Sequence, residues 1–488
     1  MATHLSTPLV HRALRSPAGG LLETAAFERV KTNSLARTFG VARARAAADV
    51  SLGGGPAAFL AELPAPPAPH LHDRIERTLR DYANRRTEAE DAVERWEAAF
   101  WGDEATTDAE RVAIERERRR TEARRARPTR LFRFLDREHL LPPVKYEIPD
   151  PETVDERWAK AVVDPSRLYG LDELPAVARS RSVAGPGTEE SFLRFDSPSP
   201  YLDEATARVY EPAGWAAGRD GDAAPLPTLI FHDGLGSLND RASYWPVEDA
   251  VARTLAPRGY RVILPDAPWH GRREVVGRYS GEPYLATAPV GTFTLLSAAA
   301  AETGVLVDWA RREGAPVVGV GGLSLGGSVA SHVAGRCGGW PERARPDLVV
   351  PVGAPGDVDR ALFESRLSSL LGLDRELAEA GWTPDRLRDL APLLDPPATP
   401  AVDPGSIVPF VGRRDDLAPV DTALELYDSW GVPDRNVTAW DAGHFGVLVR
   451  LVRDPAFVST VAARLDAATV SRSEPASPPP TGEPVGAE

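Results

Sequence analysis

The sequence predicts an α/β protein with a mostly parallel central sheet flanked by helices and a mainly helical N-terminal extension. Three observations predict it. Past residue 205, short β-branched apolar runs alternate with helical segments, as crossover connections between parallel strands require. Between residues 72 and 140, apolar side chains recur at helical spacing among many charges. At 488 residues, the chain also exceeds what one ordinary core needs.

Taken in order, residues 1–140 are the helical extension, although the first 70 carry mixed signals. Gly53-Gly54-Gly55-Pro56 reads as a turn, and prolines cluster from Pro64 to Pro69. Trp96, Phe100 and Trp101 form the buried stripe of one helix. The arginine-rich run 116–130 reads as a solvated face paired with Glu115, Glu117 and Glu122, or as a patch for an acidic partner. Residues 141–204 are Pro-rich and irregular, a linker or wrapping segment.

The catalytic domain is placed at 205–470. Strands are expected at 207–210, 228–232, 260–264, 317–321, 348–352, 407–411 and 437–440. Helices are expected at 247–256, 295–312, 325–334, 419–430 and 445–467. Residues 357–404 interrupt the alternation and read either as a helical lid or as a crossover helix with a long loop. The Ser/Pro/Gly/Glu-rich tail, 471–488, is expected to be disordered.

Composition excludes several classes. A net charge of −14 argues against a nucleic-acid binder, which needs a basic surface. Cys337 is the single cysteine, so there is no intramolecular disulfide and no multi-cysteine zinc site. No run of about 18 consecutive apolar residues predicts a membrane span. The N-terminus lacks the apolar core of a signal peptide, which fits a cytoplasmic protein.

Chemistry concentrates in Gly322-Leu323-Ser324-Leu325-Gly326. The pentapeptide alone is a weak signal, but a buried strand precedes it and a helix follows. A nucleophilic serine on so sharp a turn needs small flanking residues, and the helix start aims amides at its oxygen. Leu325 N–H is then one oxyanion donor. A serine hydroxyl also needs a base, and His444, in Asp441-Ala-Gly-His444-Phe445 after the last strand, is suited to it. An acid must hold that imidazole. Asp415, after the penultimate strand, is the choice, with Asp416 the alternative and Asp357 and Asp359 more distant candidates. The three lie at the C-terminal ends of strands, where open α/β sheets place their catalytic groups. Their order, serine then acid then histidine, differs from the chymotrypsin and subtilisin orders.

Phe231-His232-Asp233-Gly234-Leu235-Gly236 follows another apolar strand, and Asp266-Ala-Pro-Trp269-His270-Gly271-Arg272-Arg273 follows the next. With these segments, the stretch from about 205 to 468 resembles the α/β-hydrolase superfamily. It looks closest to the subgroup with a Gly-Arg-Arg turn here, including the domain-18 type. The resemblance implies a second oxyanion amide after the third core strand, from Leu235 or Asp233. His232, Trp269, His270, Arg272 and Phe445 become candidates for the substrate pocket. Arg272 and Arg273 either meet an anionic group on the substrate or form a structural turn held to Asp266, and Trp269 either lines the pocket or packs on the N-terminal helices.

The expected function is hydrolysis of a carboxylic ester or related small-molecule acyl compound, through an acyl-enzyme and without metal or cofactor. The alternatives are an acyltransferase or cyclase using the same groups, and a non-catalytic scaffold bearing an interaction module. A homodimer built through the N-terminal region is a further expectation, by analogy of fold.

Overall fold

The computed structural model describes residues 9–103, 105–126, 131–215, 224–236 and 247–473. Its centre is a ten-stranded sheet. The strands are β1 (Ala178–Arg179), β2 (Val183–Gly185), β3 (Thr188–Asp196), β4 (Glu204–Pro212), β5 (Thr228–His232), β6 (Arg261–Pro265), β7 (Val318–Leu323), β8 (Leu348–Val352), β9 (Phe410–Gly412) and β10 (Thr438–Trp440). Their order is β1-β3-β4-β6-β5-β7-β8-β9-β10, with β2 beside β3. Pairings from β6 to β10 are parallel, and those involving β1 to β4 are antiparallel.

The inner strands are apolar because both faces are covered. Along β5, Leu229 and Phe231 point into one core and Ile230 into the other. Helices Val290–Arg312 and Leu325–Arg336 cover the Ile230 face; Val247–Leu255, His444–Arg453 and Pro455–Ser473 cover the face of Leu229 and Phe231. Val290–Arg312 is apolar enough by length and composition to cross a membrane, but nearly all of its most apolar stretch is buried inside this fold. Here it serves as the central core helix.

The segment 141–204, expected to be an irregular linker or wrapping segment, carries β1 to β3 and the helix Pro151–Val163. The charges of β3 hid it. Glu190 is fully buried, with ion pairs to Arg119 at 2.6 Å and Arg253 at 2.9 Å. Such a strand becomes possible only when distant arginines meet its carboxylates. The helix expected over 445–467 is broken at Pro455, which cannot continue the hydrogen-bond ladder of the preceding turn. The helix Pro455–Ser473 runs through residue 471, where a disordered tail was expected, and the remainder of that expected tail lies outside the described residues.

In the N-terminal region the two long helices are His72–Trp101 and Asp108–Ala126. Trp96 and Phe100 are buried and stack on each other, with Phe192 of β3 edge-on to both. The arginine run is paired: Arg118 with Glu115 at 2.7 Å, Arg120 with Glu117 at 2.8 Å and Arg125 with Glu122 at 2.6 Å. Residues 127–130 of that run lie outside the described residues. The glycine turn at 53–55 is absorbed as a kink in the helix Leu35–Ala61, where Gly55 has φ 69° and Pro56 follows.

Candidate active site

β5 lies between β6 and β7, so the chain leaves β5 to one side and returns on the other. The crevice past the carboxyl ends of β5 and β7 is therefore the switch point, where ligands bind in open α/β sheets. The loop 233–236 follows β5, and Ser324 follows β7.

Ser324 has φ 55° and ψ −114°, a strained conformation for a residue with a side chain. Its amide donates to Val352 O at 2.8 Å, and its carbonyl accepts the Ser328 amide at 3.0 Å. The turn is too tight for substituted neighbours. A Cβ on Gly322 would stand 2.8 Å from Gly326 Cα, and one on Gly326 would stand 2.5 Å from His232 O. The half-buried Ser324 faces a cavity of about 70 Å³. Leu235, Tyr284 and Leu325 wall one part of it; Leu362, Leu367 and Leu373 wall another. Those last three belong to the short helices Val358–Glu364, Arg366–Leu371 and Leu373–Glu379, in the segment where the sequence raised a lid.

His444 Nδ1 lies 2.7 Å from Asp415 Oδ2. Asp415 Oδ1 accepts the amides of Leu417 at 3.1 Å and Ala418 at 3.0 Å. Both groups are buried, Asp415 at 5% exposure and His444 at 9%. Burial disfavours the imidazolium, but Asp415, with smaller help from Glu28 and Asp416, outweighs it and raises the His444 pKa. Asp416 itself is exposed and pairs with Arg366 at 3.7 Å. Ser324 and His444 are not hydrogen-bonded to each other among the described residues, but they share neighbours. Leu417 and Ala418, which hold Asp415, also line the Ser324 cavity. A Cβ on Gly353, next to the carbonyl that holds Ser324, would lie 3.8 Å from Asp415 Oδ2.

Of the amides considered for an oxyanion, Leu325 opens the helix Leu325–Arg336, where the first N–H groups have no partner within the helix. Leu235 lines the same cavity. A Cβ on Gly234 would sit 3.6 Å from Ser324 Cβ, so this loop abuts the serine. Asp233 is 4% exposed and is not among the cavity walls.

The pocket candidates are largely displaced. His232 is 2% exposed, and its Nε2 meets Thr303 Oγ1 at 2.8 Å. The Thr303 hydroxyl itself donates to Ala299 O at 2.6 Å, so this histidine is a core residue. His270 is fully buried beside Pro268 O at 2.8 Å, and burial pulls its pKa down to about 4. It braces Gly281, whose Cβ position lies 2.9 Å from Leu235 Cδ1. Arg272 pairs with Asp266 at 2.7 Å, and Arg273 makes 2.8 Å bonds to both oxygens of Glu302, which is the structural-turn reading. Trp269 faces a separate cavity of about 520 Å³ shared with Trp96 and Trp101. None of Ser324, Asp415 or His444 lines that larger space. The Phe445 ring lies under Lys31 Nζ, 5.5 Å from its centroid, and Phe445 does not line the Ser324 cavity. What the sequence reading missed is the leucine wall from 362 to 373, whose spacing looks like ordinary helix core, and Glu28, considered below.

Strand order, with the serine turn after β7, the acid after β9 and the histidine after β10, is that of an α/β-hydrolase fold. The chain is similar to esterase YjfP of Escherichia coli (strain K12), at 28% identity over 228 residues, spanning 45% of this chain and 82% of that one. Among solved structures, an acetyl xylan esterase from Paenibacillus sp. R4 aligns with a TM-score of 0.44 and 17% identity, over 66% of this chain and 97% of that one. A cold-adapted esterase from an Arctic intertidal metagenomic library aligns with a TM-score of 0.37 and 15% identity, over 58% and 97%. No protein family model matches the chain.

Proposed function

We propose that this chain is a serine hydrolase that cleaves carboxylic esters of short acyl groups. The observation that carries the reading is the 2.7 Å bond from His444 Nδ1 to a buried, amide-anchored Asp415, in a chain whose Ser324 stands on a strained turn. That bond leaves Nε2 as the basic nitrogen. Ser324 Oγ attacks the carbonyl carbon while His444 takes its proton. The electron pair of the carbonyl moves to oxygen, where the amides of Leu325 and Leu235 receive it. Collapse expels the alcohol with the proton from His444 and leaves an acyl-serine. Water, deprotonated by His444, attacks that ester, and His444 returns the proton to Ser324 Oγ as the acid leaves. The similarity to an enzyme named an esterase supports the choice of bond.

The size of the acyl group follows from the cavity. About 70 Å³ is less than half of the ~150 Å³ apolar cavity that holds benzene, so a short acyl chain is favoured. The Gly271-Arg272-Arg273 turn supports a place in the domain-18 type subgroup, and the single, buried Cys337 is compatible with a reducing compartment.

The test is hydrolysis of p-nitrophenyl acetate and butyrate by the full chain and by Ser324→Ala, with fluorophosphonate labelling of both. Turnover and labelling are expected only with Ser324 in place. Full activity in the Ala variant overturns the assignment. A second reading, acyl transfer to an alcohol, draws on the apolar walls at Leu362, Leu367 and Leu373. Product analysis with added alcohol separates the two.

A further inference from the structure

The helix that begins at His444 has no side chain of its own to cap it. Its N-cap position is Gly443. A helix start leaves amides without partners, and a cap usually supplies an oxygen from that residue. Here the oxygens come from the N-terminal arm. Glu28 Oε1 accepts from the Phe445 amide at 3.0 Å, and Glu28 Oε2 accepts from the Gly446 amide at 2.9 Å. The two partners are matched in shape: a Cβ on Gly443 would stand 2.5 Å from Glu28 Cδ. The carboxylate also sits at the positive end of the helix dipole.

The arm is fastened on both sides of this contact. Glu23 pairs with Arg453 at 2.8 Å and with Arg450 at 3.2 Å. Arg453 Nη1 also donates to Leu14 O at 2.5 Å. On the other side, Arg366 donates to Asn33 Oδ1 at 3.0 Å.

We propose that Glu28 is a positioning residue for His444: from the N-terminal arm it caps the helix that His444 opens, and so holds the imidazole against Asp415 and in line with Ser324. The inference rests on reading His444 as the general base. It makes the arm a part of the active site.

Charge adds a second, separable effect. Around His444 the acidic groups are Asp415, Asp416 and Glu28. The nearby cations are Lys31 over the Phe445 ring, Arg366 paired with Asp416, and Arg414 paired with Asp441 at 3.2 Å. Glu28 is one of the groups that raise the His444 pKa. Removing its charge lowers that pKa, so the neutral base persists to lower pH and the acid limb of activity moves down.

The experiment measures kcat, KM and the pH profile of p-nitrophenyl acetate hydrolysis, with thermal melts, for full-chain variants. Glu28→Ala is expected to lose about tenfold or more in kcat with KM nearly unchanged, as small misplacements of a catalytic group do. Its acid limb moves to lower pH. Gly443→Ser alone is also expected to lower kcat, because its side chain collides with Glu28. In the Glu28→Ala background the same substitution fills the vacated space and caps the helix locally. Gly443 has φ −88° and ψ −173°, which any residue adopts. That double variant is expected to regain kcat while keeping the lowered acid limb, and Glu28→Ala/Gly443→Asp to regain both. An unchanged kcat and acid limb in Glu28→Ala overturn the proposal. So does a kcat loss that tracks a fall in Tm and that neither double variant restores. If the wild-type chain hydrolyses no ester, the esterase reading fails separately. The imidazole titration of His444, followed by NMR with and without Glu28, then decides this proposal, and no shift overturns it.

Discussion

His444 Nδ1 and Asp415 Oδ2 are 2.7 Å apart, and the other oxygen of Asp415 is held by the amides of Leu417 and Ala418. One oxygen of the carboxylate is therefore fixed by backbone amides while the other meets the imidazole. Such an anchor favours the tautomer with Nδ1–H toward the acid, which leaves Nε2 as the basic nitrogen.

Replacing Asp415 with Asn reverses what that oxygen offers. An amide NH₂ facing Nδ1 favours the wrong tautomer, and kcat is expected to fall by about 10⁴, the scale known for such a change. Asp416→Asn should stay within a few-fold of wild type, because Asp416 is exposed and tied to Arg366. Steady-state kinetics of both variants on one ester checks the pair. Equal losses would mean that the acid is shared.

The pH profile should carry the sign of the His444 shift. The base works neutral, so kcat/KM rises with pH through the free-enzyme pKa of His444. Asp415 and its acidic neighbours raise that pKa above the ordinary imidazole value in spite of burial. The acid limb is expected above that value, and a midpoint well below it would contradict the electrostatic account.

Gly322→Ala tests the elbow without touching a reacting atom. Its new Cβ would meet Gly326 Cα at 2.8 Å, in backbone that cannot swing away. Overpacking of this kind costs about 1–3 kcal/mol. Thermal melts should show the loss, together with a fall in kcat from the displaced serine.

Chain-length preference should follow the leucine wall. Acetyl to butyryl esters are expected to react faster than octanoyl esters. Leu367→Ala removes half-buried bulk beside Ser324 and should move the optimum to longer acyl groups. A p-nitrophenyl ester series on both proteins measures it, and an unmoved optimum would place the acyl group elsewhere.

Arg272→Gln separates the pocket from the turn. It breaks a pair with Asp266 that is 15% and 10% exposed, so Tm should fall. The chain-length optimum should not move, because Arg272 does not line the Ser324 cavity.

Much of the fold was legible from residue 205 on. β5 and β8 fall where the apolar runs 228–232 and 348–352 put them, because a strand buried on both faces writes a continuous apolar signal. The antiparallel β1 to β3 were not legible. Their charged residues look like loop until Arg119 and Arg253 arrive to neutralise Glu190. The pocket candidates at 232, 270 and 272 failed for a related reason. Polar residues near a catalytic strand end read alike whether they face substrate or satisfy the core. Only the burial of His232 and His270 and the pairing of Arg272 with Asp266 separate the two.

By itself the sequence determined the alternation of strand and helix and the order of Ser324, Asp415 and His444, because periodicity, glycine flanks and strand ends are local properties of the chain. Tertiary structure alone decided which carboxylate meets the imidazole, how small the cavity is and what caps the helix at Gly443. Those depend on residues such as Glu28 and His444 that lie far apart in the chain and are neighbours only once it has folded.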